Sequence, residues 1–311
     1  MERNRLIDKK TVDLLKLRAF LLKKARSWFD NNGYIEVQAP ILVPALGESP
    51  NSFEVKYYDK RAYLAKGFLP YGKVFADKLG KVYTITPSFR KEQPNKRHLT
   101  EYWRMEAVQH CDLENIMTVQ EELIAFICSS LASEFKETLD CFNRPYSEMA
   151  KVQKPFKQLT YDEAIDVLQN DSYEIVWGQE IDWKLEQHLS LKFDKPFFIW
   201  KYPYGPETFF SKTDPEKPEL SLYADLLAPE GYGEIASSLQ MITEKDKMLN
   251  TVREAGLNES NQVWMEKFMQ SSLEPCSGFA IGIERLLQWV CKLSNIKKAS
   301  AFPRSADNIY P

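Results

Sequence analysis

Apolar residues recur at helical spacing over residues 11–32, at Leu14, Leu17, Leu21, Ala25 and Trp28, with Gly33 as the stop. The next stretch, YIEVQAPIL (34–42), reads as a strand. Pro40 puts it at an edge or a strand end, because proline cannot donate to a ladder. EVKYY and AYLA read as short strands, and KVYTITPSF (81–89) as a longer one rich in β-branched and aromatic residues. EYWRMEAVQHC (101–111) reads as its antiparallel return. The helical period comes back in TVQEELIAFICSSLASEF (118–135).

Regularity drops over residues 140–190, where prolines mark turns, and this segment reads as an insertion. PFFIWKYP (196–203), LYADLLA and GYGEIASSLQ read as strands; EKDKMLNTVREAGL and QVWMEKFMQSS read as helices. SGFAIGIERLLQWVCKL (277–293) runs from a glycine-spaced strand straight into a helix. No repeat and no low-complexity tract interrupts this order. Strands first and last with helices between predict an α+β fold with a mostly antiparallel sheet, as a single domain over residues 1–311.

Composition narrows the function classes. With 311 residues and 44% hydrophobic content, the chain can bury a core without disulfides or metals. Its net charge of −3 supplies no basic field, which weighs against a main task of gripping RNA. Five cysteines (Cys111, Cys128, Cys141, Cys276 and Cys291) form no CxxC pair, so reduced thiols and a cytoplasmic setting are expected. His98, His110 and His188 have no metal-ligand spacing to a cysteine, which argues against structural zinc. The N-terminus is too charged for a signal peptide, and no apolar run reads as a membrane span.

The candidate chemistry clusters in FRKEQPNKRHLTEY (89–102). Arg90 stands where a strand ends, and Arg285 opens a helix after Gly278 and Gly282. Each guanidinium offers a planar fork of donors suited to phosphate. Taken singly, each reads first as a surface ion-pair partner. Asp225 and Glu234 flank a turn between two strand-like segments. They are either turn acids facing water or, beside phosphate-binding arginines, ligands for Mg²⁺.

The order of these elements is the specific signal. A helix and a proline-broken strand, then FRKE with RHLTEY, then an Asp and a Gly-Glu, then GIER and a closing FPR, resemble the class II aminoacyl-tRNA synthetases, nearest to the aspartyl/asparaginyl subgroup. Residues 11–42 are similar to motif 1, residues 88–107 to motif 2 and residues 277–286 to motif 3. The resemblance implies an ATP-dependent, AMP- and pyrophosphate-forming ligase, dimeric through motif 1, with ATP and Mg²⁺ as cofactors. It implies that Arg90 binds the α-phosphate and the carboxylate being activated. Glu92 would meet the adenine side, and Arg97 and His98 the outer phosphates of a bent ATP. Tyr102 would stack under the base, Arg285 would cover its other face, and Asp225 and Glu234 would hold Mg²⁺.

The sequence departs from that family at the amino-acid pocket. Phe68 and Tyr71 stand where the family's SPQLYK element has its glutamine and lysine, and Met241, after Gln240, stands where GGSQR has its arginine. Ala280 replaces a motif 3 glycine, and motif 2 is one residue shorter between Glu92 and Arg97. The expected pocket is therefore Phe68, Tyr71, Lys201, Gln240 and Met241, with Lys66, Lys73 or Lys201 as the residues able to restore a cation. A buried carboxylate without such a partner loses roughly 1.5–3 kcal/mol, which disfavours aspartate.

Motif 1 begins close to Met1, so no anticodon-binding domain and no role for tRNA are expected, and transfer of the acyl group to ammonia, a small amine or a carrier is the leading expectation. The alternatives are an archaeal-type asparagine synthetase using aspartate and ammonia, a truncated asparaginyl-tRNA synthetase acting on tRNA, and a non-catalytic regulator binding amino acid or nucleotide.

Overall fold

The computed structural model describes residues 7–44, 51–91, 93, 96–205, 208, 210–244, 247 and 274–310. The first helix, α1 (Lys9–Asn31), starts on Asp8, whose carboxylate accepts from the Thr11 amide at 2.7 Å. It ends before Gly33, which takes the left-handed φ of 76° that releases the chain into the sheet. Leu14, Leu17, Leu21, Ala25 and Trp28 are all buried along one face of it.

The stretch 34–42 yields only two short strands, β1 (Ile35–Glu36) and β2 (Leu42–Val43), on either side of Pro40. β2 belongs to a small three-stranded sheet with β3 (Glu54–Tyr57) and β4 (Lys60–Leu64), in the order β2-β4-β3. β1 forms the edge of the main sheet, parallel to β5 (Val82–Phe89). Then come β6 (Glu101–Gln109), β11 (Ser277–Gly282), β10 (Gly233–Gln240), β9 (Tyr223–Ala228), β8 (Phe197–Trp200) and β7 (Lys157–Thr160), eight strands in the order β1-β5-β6-β11-β10-β9-β8-β7. Only the two outermost pairs are parallel, so the sheet is mainly antiparallel, as expected.

Residues 140–190 correct the expectation of an irregular insertion. They carry α5 (Tyr146–Ala150), after the short α4 (Lys136–Asp140), then β7, α6 (Tyr161–Asn170) and α7 (Trp183–Ser190). β7 is the outer strand of the main sheet, and α6 starts on a Thr160–Glu163 capping box. One helix was not expected, α2 (Leu69–Leu79): its Pro70 sits in the first turn, where the missing N–H costs nothing. The core helix α3 (Leu113–Glu134) starts before the expected residue 118, because Asp112 caps it by accepting from the Asn115 amide. Among the described residues, α3 is the one helix long and apolar enough to cross a bilayer, but most of it is buried within the protein. The final helix α8 (Ile283–Val290) leaves β11 without a loop. The helices expected over 244–257 and 262–272 lie outside the described residues.

Strand alternation divides the sheet. One face carries Met105, Ala107, Phe279, Ile281, Ala236 and Leu226 into the main core with α1, α3 and α8. The other presents Tyr102, Arg104, Glu106 and Val108 from β6, Gly278, Ala280 and Gly282 from β11, Ser237 and Leu239 from β10, and Tyr223 and Asp225 from β9. Separate apolar clusters flank this second face, one with α6 and α7 and one with α2.

Candidate active site

The middle of the second face has a floor of small residues. Ala280 lies between Glu106 and Ser237, Gly278 between Val108 and Leu239, and Gly282 beside Arg104. Charged side chains of the flanking positions can therefore lie over the central strands.

At one end they form a continuous network. Arg90 follows β5, and its amide donates to the Thr100 carbonyl at 3.0 Å. Arg285, in the first turn of α8, places Nη1 2.7 Å from Glu234 Oε2 and Nη2 3.0 Å from His98 Nε2. Arg97 Nη1 donates to Glu186 Oε2 at 2.7 Å, and that oxygen also accepts from the Glu234 amide at 3.1 Å. Gly233 makes this approach possible. Its φ is 69°, and a Cβ there would fall 2.8 Å from Glu186 Oε2 and 3.0 Å from Arg97 Nη1.

The charges set each other's protonation. Burial would raise Glu234, but Arg285, Arg97 and Arg90 hold its carboxyl down to about 2. Burial and the same three guanidinium groups press His98 down to about 3, so its neutral ring accepts from Arg285 at physiological pH. Asp225 is pushed well above the usual carboxylate range by burial and by the charges of Glu234 and Glu186, and it accepts from the Tyr223 hydroxyl at 2.9 Å.

That surplus of acid beside Asp225 and Glu234 fits a divalent cation. Among the described residues no group of three or more His, Cys, Asp or Glu is disposed to hold a metal. Two carboxylates complemented by phosphate oxygens and water suit Mg²⁺ rather than a metal held by protein alone. Tyr102 stands on the same face of β6, one alternate position from Arg104 and opposite Ser88. Glu92 lies outside the described residues.

At the other end, Phe68 and Met241 are buried together with Val82, Val108 and Cys276, and Tyr71 packs against them. The structure thus brings together three of the expected pocket residues, as an apolar plug. Gln240 is not with them. It alternates with Leu239 and Met241 onto the opposite face, where its Oε1 accepts from the Leu113 amide at 3.3 Å. Lys201, with φ of 59°, pairs with Asp214 at 2.8 Å and lies 4.9 Å over the Trp200 ring. Neither contact joins it to Phe68, Tyr71 or Met241. Lys73 is buried against Asp77 at 3.5 Å.

The cation on this part of the face is one that sequence reading missed. Arg104 Nε lies 3.4 Å from Glu106 Oε1, and Nη1 donates to the Lys66 carbonyl at 2.7 Å. A Cβ on Gly67 would come within 2.8 Å of Nη1, so a side chain there would displace the guanidinium end. Both Glu106 oxygens accept from the Phe68 amide at 3.1 Å, which caps α2 from a neighbouring strand. Burial raises the Glu106 carboxyl, with Arg104 and the Phe68 and Leu69 amides pulling against it. The signal for this pair was the period of two beyond Tyr102. Glu186 had no comparable signal, because its partners are far away in sequence.

Comparison with known proteins places this geometry. Residues 3–306 match the family described as tRNA synthetases class II (D, K and N). The asparagine–tRNA ligase of Thermococcus gammatolerans is 37% identical over 97% of this chain and 71% of its own length. That of Pyrococcus furiosus is 38% identical over 96% of this chain and 69% of its own. The crystal structure of asparaginyl-tRNA synthetase from Pyrococcus horikoshii complexed with asparaginyl-adenylate superposes with a TM-score of 0.94 at 37% identity, over 97% of this chain and 70% of that one. An Entamoeba histolytica aspartyl-tRNA synthetase, with a TM-score of 0.80 and 22% identity, shares the fold. A sheet that sets Arg90, Glu234 and Arg285 on one face, in a chain matched almost end to end by asparagine–tRNA ligases, belongs to the class II tRNA synthetases of the D, K and N group, which are ATP-dependent ligases forming AMP and pyrophosphate.

Proposed function

We propose that this chain activates asparagine with ATP to form asparaginyl-adenylate. The observation that carries the reading is the Arg90–Arg97–Arg285 group gathered around Glu234 and His98 on the second face of the sheet. The asparagine named for the relatives supports the choice of amino acid.

In this reading the substrate's α-carboxylate oxygen attacks the α-phosphorus of ATP, an O–P bond forms, and the bond to the pyrophosphate oxygen breaks. Arg90 orients the carboxylate and the α-phosphate. Arg97, neutral His98 and Arg285 line the outer phosphates, and Tyr102 and Arg285 sandwich the base. Mg²⁺, held by Asp225 and Glu234, would neutralise charge on the phosphates. No protein nucleophile is needed, since fixed charge and alignment supply the catalysis.

The test is amino-acid-dependent exchange of labelled pyrophosphate into ATP. Exchange with asparagine is expected, and its absence with each common amino acid would overturn the reading.

The acceptor divides two readings. The relatives are named as tRNA ligases, which favours a tRNA 3′ end. The net charge of −3 favours a small nucleophile, that is ammonia, a small amine or a carrier, over a polyanion. AMP release from asparagine and ATP, measured with tRNA and with ammonium or hydroxylamine, separates them. In both readings the enzyme is a homodimer through α1 and residues 34–42, supported by the exposed apolar side chains of Ile35, Ile41 and Leu42. Sedimentation of the free chain as a monomer would remove that contact.

A further inference from the structure

We propose that Arg144, which lies outside the three motifs, is a positioning residue: it sets the Arg285–Glu234 pair by tying the far end of α8 to the turn that leads into β10. This rests on the activation reading above, in which that pair meets ATP.

The guanidinium itself is the first argument. Arg144 follows α4, and its side chain is fully buried, which for a charged group demands matched partners. Nε donates to the Val290 carbonyl at 3.2 Å and Nη2 to the Trp289 carbonyl at 2.5 Å. These are the last two residues of α8, whose end carbonyls have no acceptor role left within the helix. A cation there also meets the negative end of the helix dipole. Nη1 lies 2.7 Å from Glu148 Oε2 and 2.6 Å from Glu230 Oε1. One side chain thus joins α5, the end of α8 and the turn between β9 and β10.

Connectivity is the second argument. Glu230 stands shortly before Glu234, in that turn, with a left-handed φ of 63°. Val290 ends the helix whose first turn carries Arg285, a helix of eight residues and about 12 Å. Arg285 Nη1 meets Glu234 Oε2 at 2.7 Å and donates to the Glu234 carbonyl at 3.3 Å. The contacts close a ring: from Arg285 to Glu234, back along the chain to Glu230, across to Arg144, and along α8 to Arg285. Without Arg144, the charged link between helix end and turn is left to Lys292, 3.9 Å from Glu230. A helix of two turns moves as one body, so a shift at Val290 reaches Arg285.

The two acids supply a matched comparison. Glu148 and Glu230 share the same nitrogen of Arg144, are 38% and 36% exposed, and both approach Lys292, at 2.9 and 3.9 Å. Only Glu230 belongs to the ring. Glu148 belongs to α5, which carries none of the residues assigned to ATP. A role in stability alone predicts like effects from losing either acid; a positioning role predicts unlike ones.

The experiment is pyrophosphate exchange with asparagine, varying ATP and asparagine separately, in the wild type, Arg144→Met, Glu230→Ala and Glu148→Ala. Glu230→Ala is expected to raise the ATP KM about tenfold, with the asparagine KM within about twofold, whereas Glu148→Ala keeps both within about twofold. Arg144→Met is expected to lower kcat/KM for ATP about 100-fold. Loss of folded enzyme lowers kcat and moves neither KM, so the split separates positioning from stability. Equal ATP KM values in Glu230→Ala and Glu148→Ala, or an Arg144→Met enzyme within about threefold of wild type, overturn the proposal. Should Arg144→Met not fold, the two acid variants decide by themselves. Absence of exchange in the wild type with every amino acid fails the activation reading instead, and calorimetry with Mg²⁺-ATP then carries the same comparison. Weaker binding in Glu230→Ala than in Glu148→Ala upholds Arg144 as a positioning residue; equal binding, or none in any of them, overturns it.

Discussion

The two ends of the second sheet face are built in opposite ways. At the arginine end, Arg97, His98, Glu186, Glu234 and Arg285 are linked by charge-assisted contacts, and the polar groups solvate one another. At the plugged end, Phe68, Val82, Val108, Met241 and Cys276 exclude water by packing, and the Arg104–Glu106 ion pair is tied to backbone at Lys66 and Phe68. A charged network can admit phosphates by exchanging partners, whereas a packed plug sets a boundary. Substitutions should therefore show first in turnover at the first end and first in stability at the second.

The largest expected break is Arg285→Ala. It removes the partner of both Glu234 and His98. Pyrophosphate exchange is expected to fall about 10³-fold in kcat, the range for losing a donor aimed at developing charge. Exchange within tenfold of wild type would mean that Arg285 only shapes the free enzyme.

The plugged end gives the next largest effect. Phe68 is 1% exposed, and its amide anchors the start of α2 on Glu106. Phe68→Ala is expected to cost about 3–5 kcal/mol in urea unfolding, because the cavity cannot collapse against the sheet. A loss below about 1 kcal/mol would mean that this end is loosely packed, and the contrast between the ends would fail.

The same contrast explains what was legible in the sequence. The arginine end is carried by residues beside local punctuation: Arg90 at a strand end, Arg285 at a strand-to-helix joint, Glu234 after a glycine turn. Such features survive reading one window at a time. The plugged end depends on which face each residue takes, and a strand reverses that with every residue. Met241 and Gln240 were read as neighbours in one pocket, yet they point to opposite faces of β10. Arg104 was passed over because one apolar or aromatic neighbour on each side, Trp103 and Met105, made the segment read only as a strand. α2 was hidden by Pro70 and Gly72, and the order within 140–190 by its prolines, although β7 and α7 place that segment against the sheet and the site.

Glu186 is the sharper test of that last point, since it comes from the segment that looked dispensable. Its carboxylate holds Arg97 and the Glu234 amide, and burial raises its pKa despite Arg97. Glu186→Gln keeps the shape and removes the charge. The ATP KM is expected to rise about tenfold with kcat within threefold, as Arg97 loses the partner that orients it. An unchanged KM would mean that Arg97 finds its place without α7.

The smallest effect concerns His98, where the two logics meet: a group within the charged network that is kept neutral. Burial and the nearby guanidinium groups hold its pKa at about 3, against the ordinary imidazole value of 6.5. In that window the unfolded chain binds a proton that the folded protein does not, so stability from the neutral ring is complete above 6.5 and drains away as pH falls toward 3. His98→Gln keeps an acceptor for Arg285 and cannot take up the proton. Its melting temperature, measured against wild type from pH 8 to pH 4, is expected to gain on the wild type only below about pH 6.5. A constant difference across that range would mean that His98 is protonated in the folded protein, and the network would then carry one more positive charge than its geometry assigns.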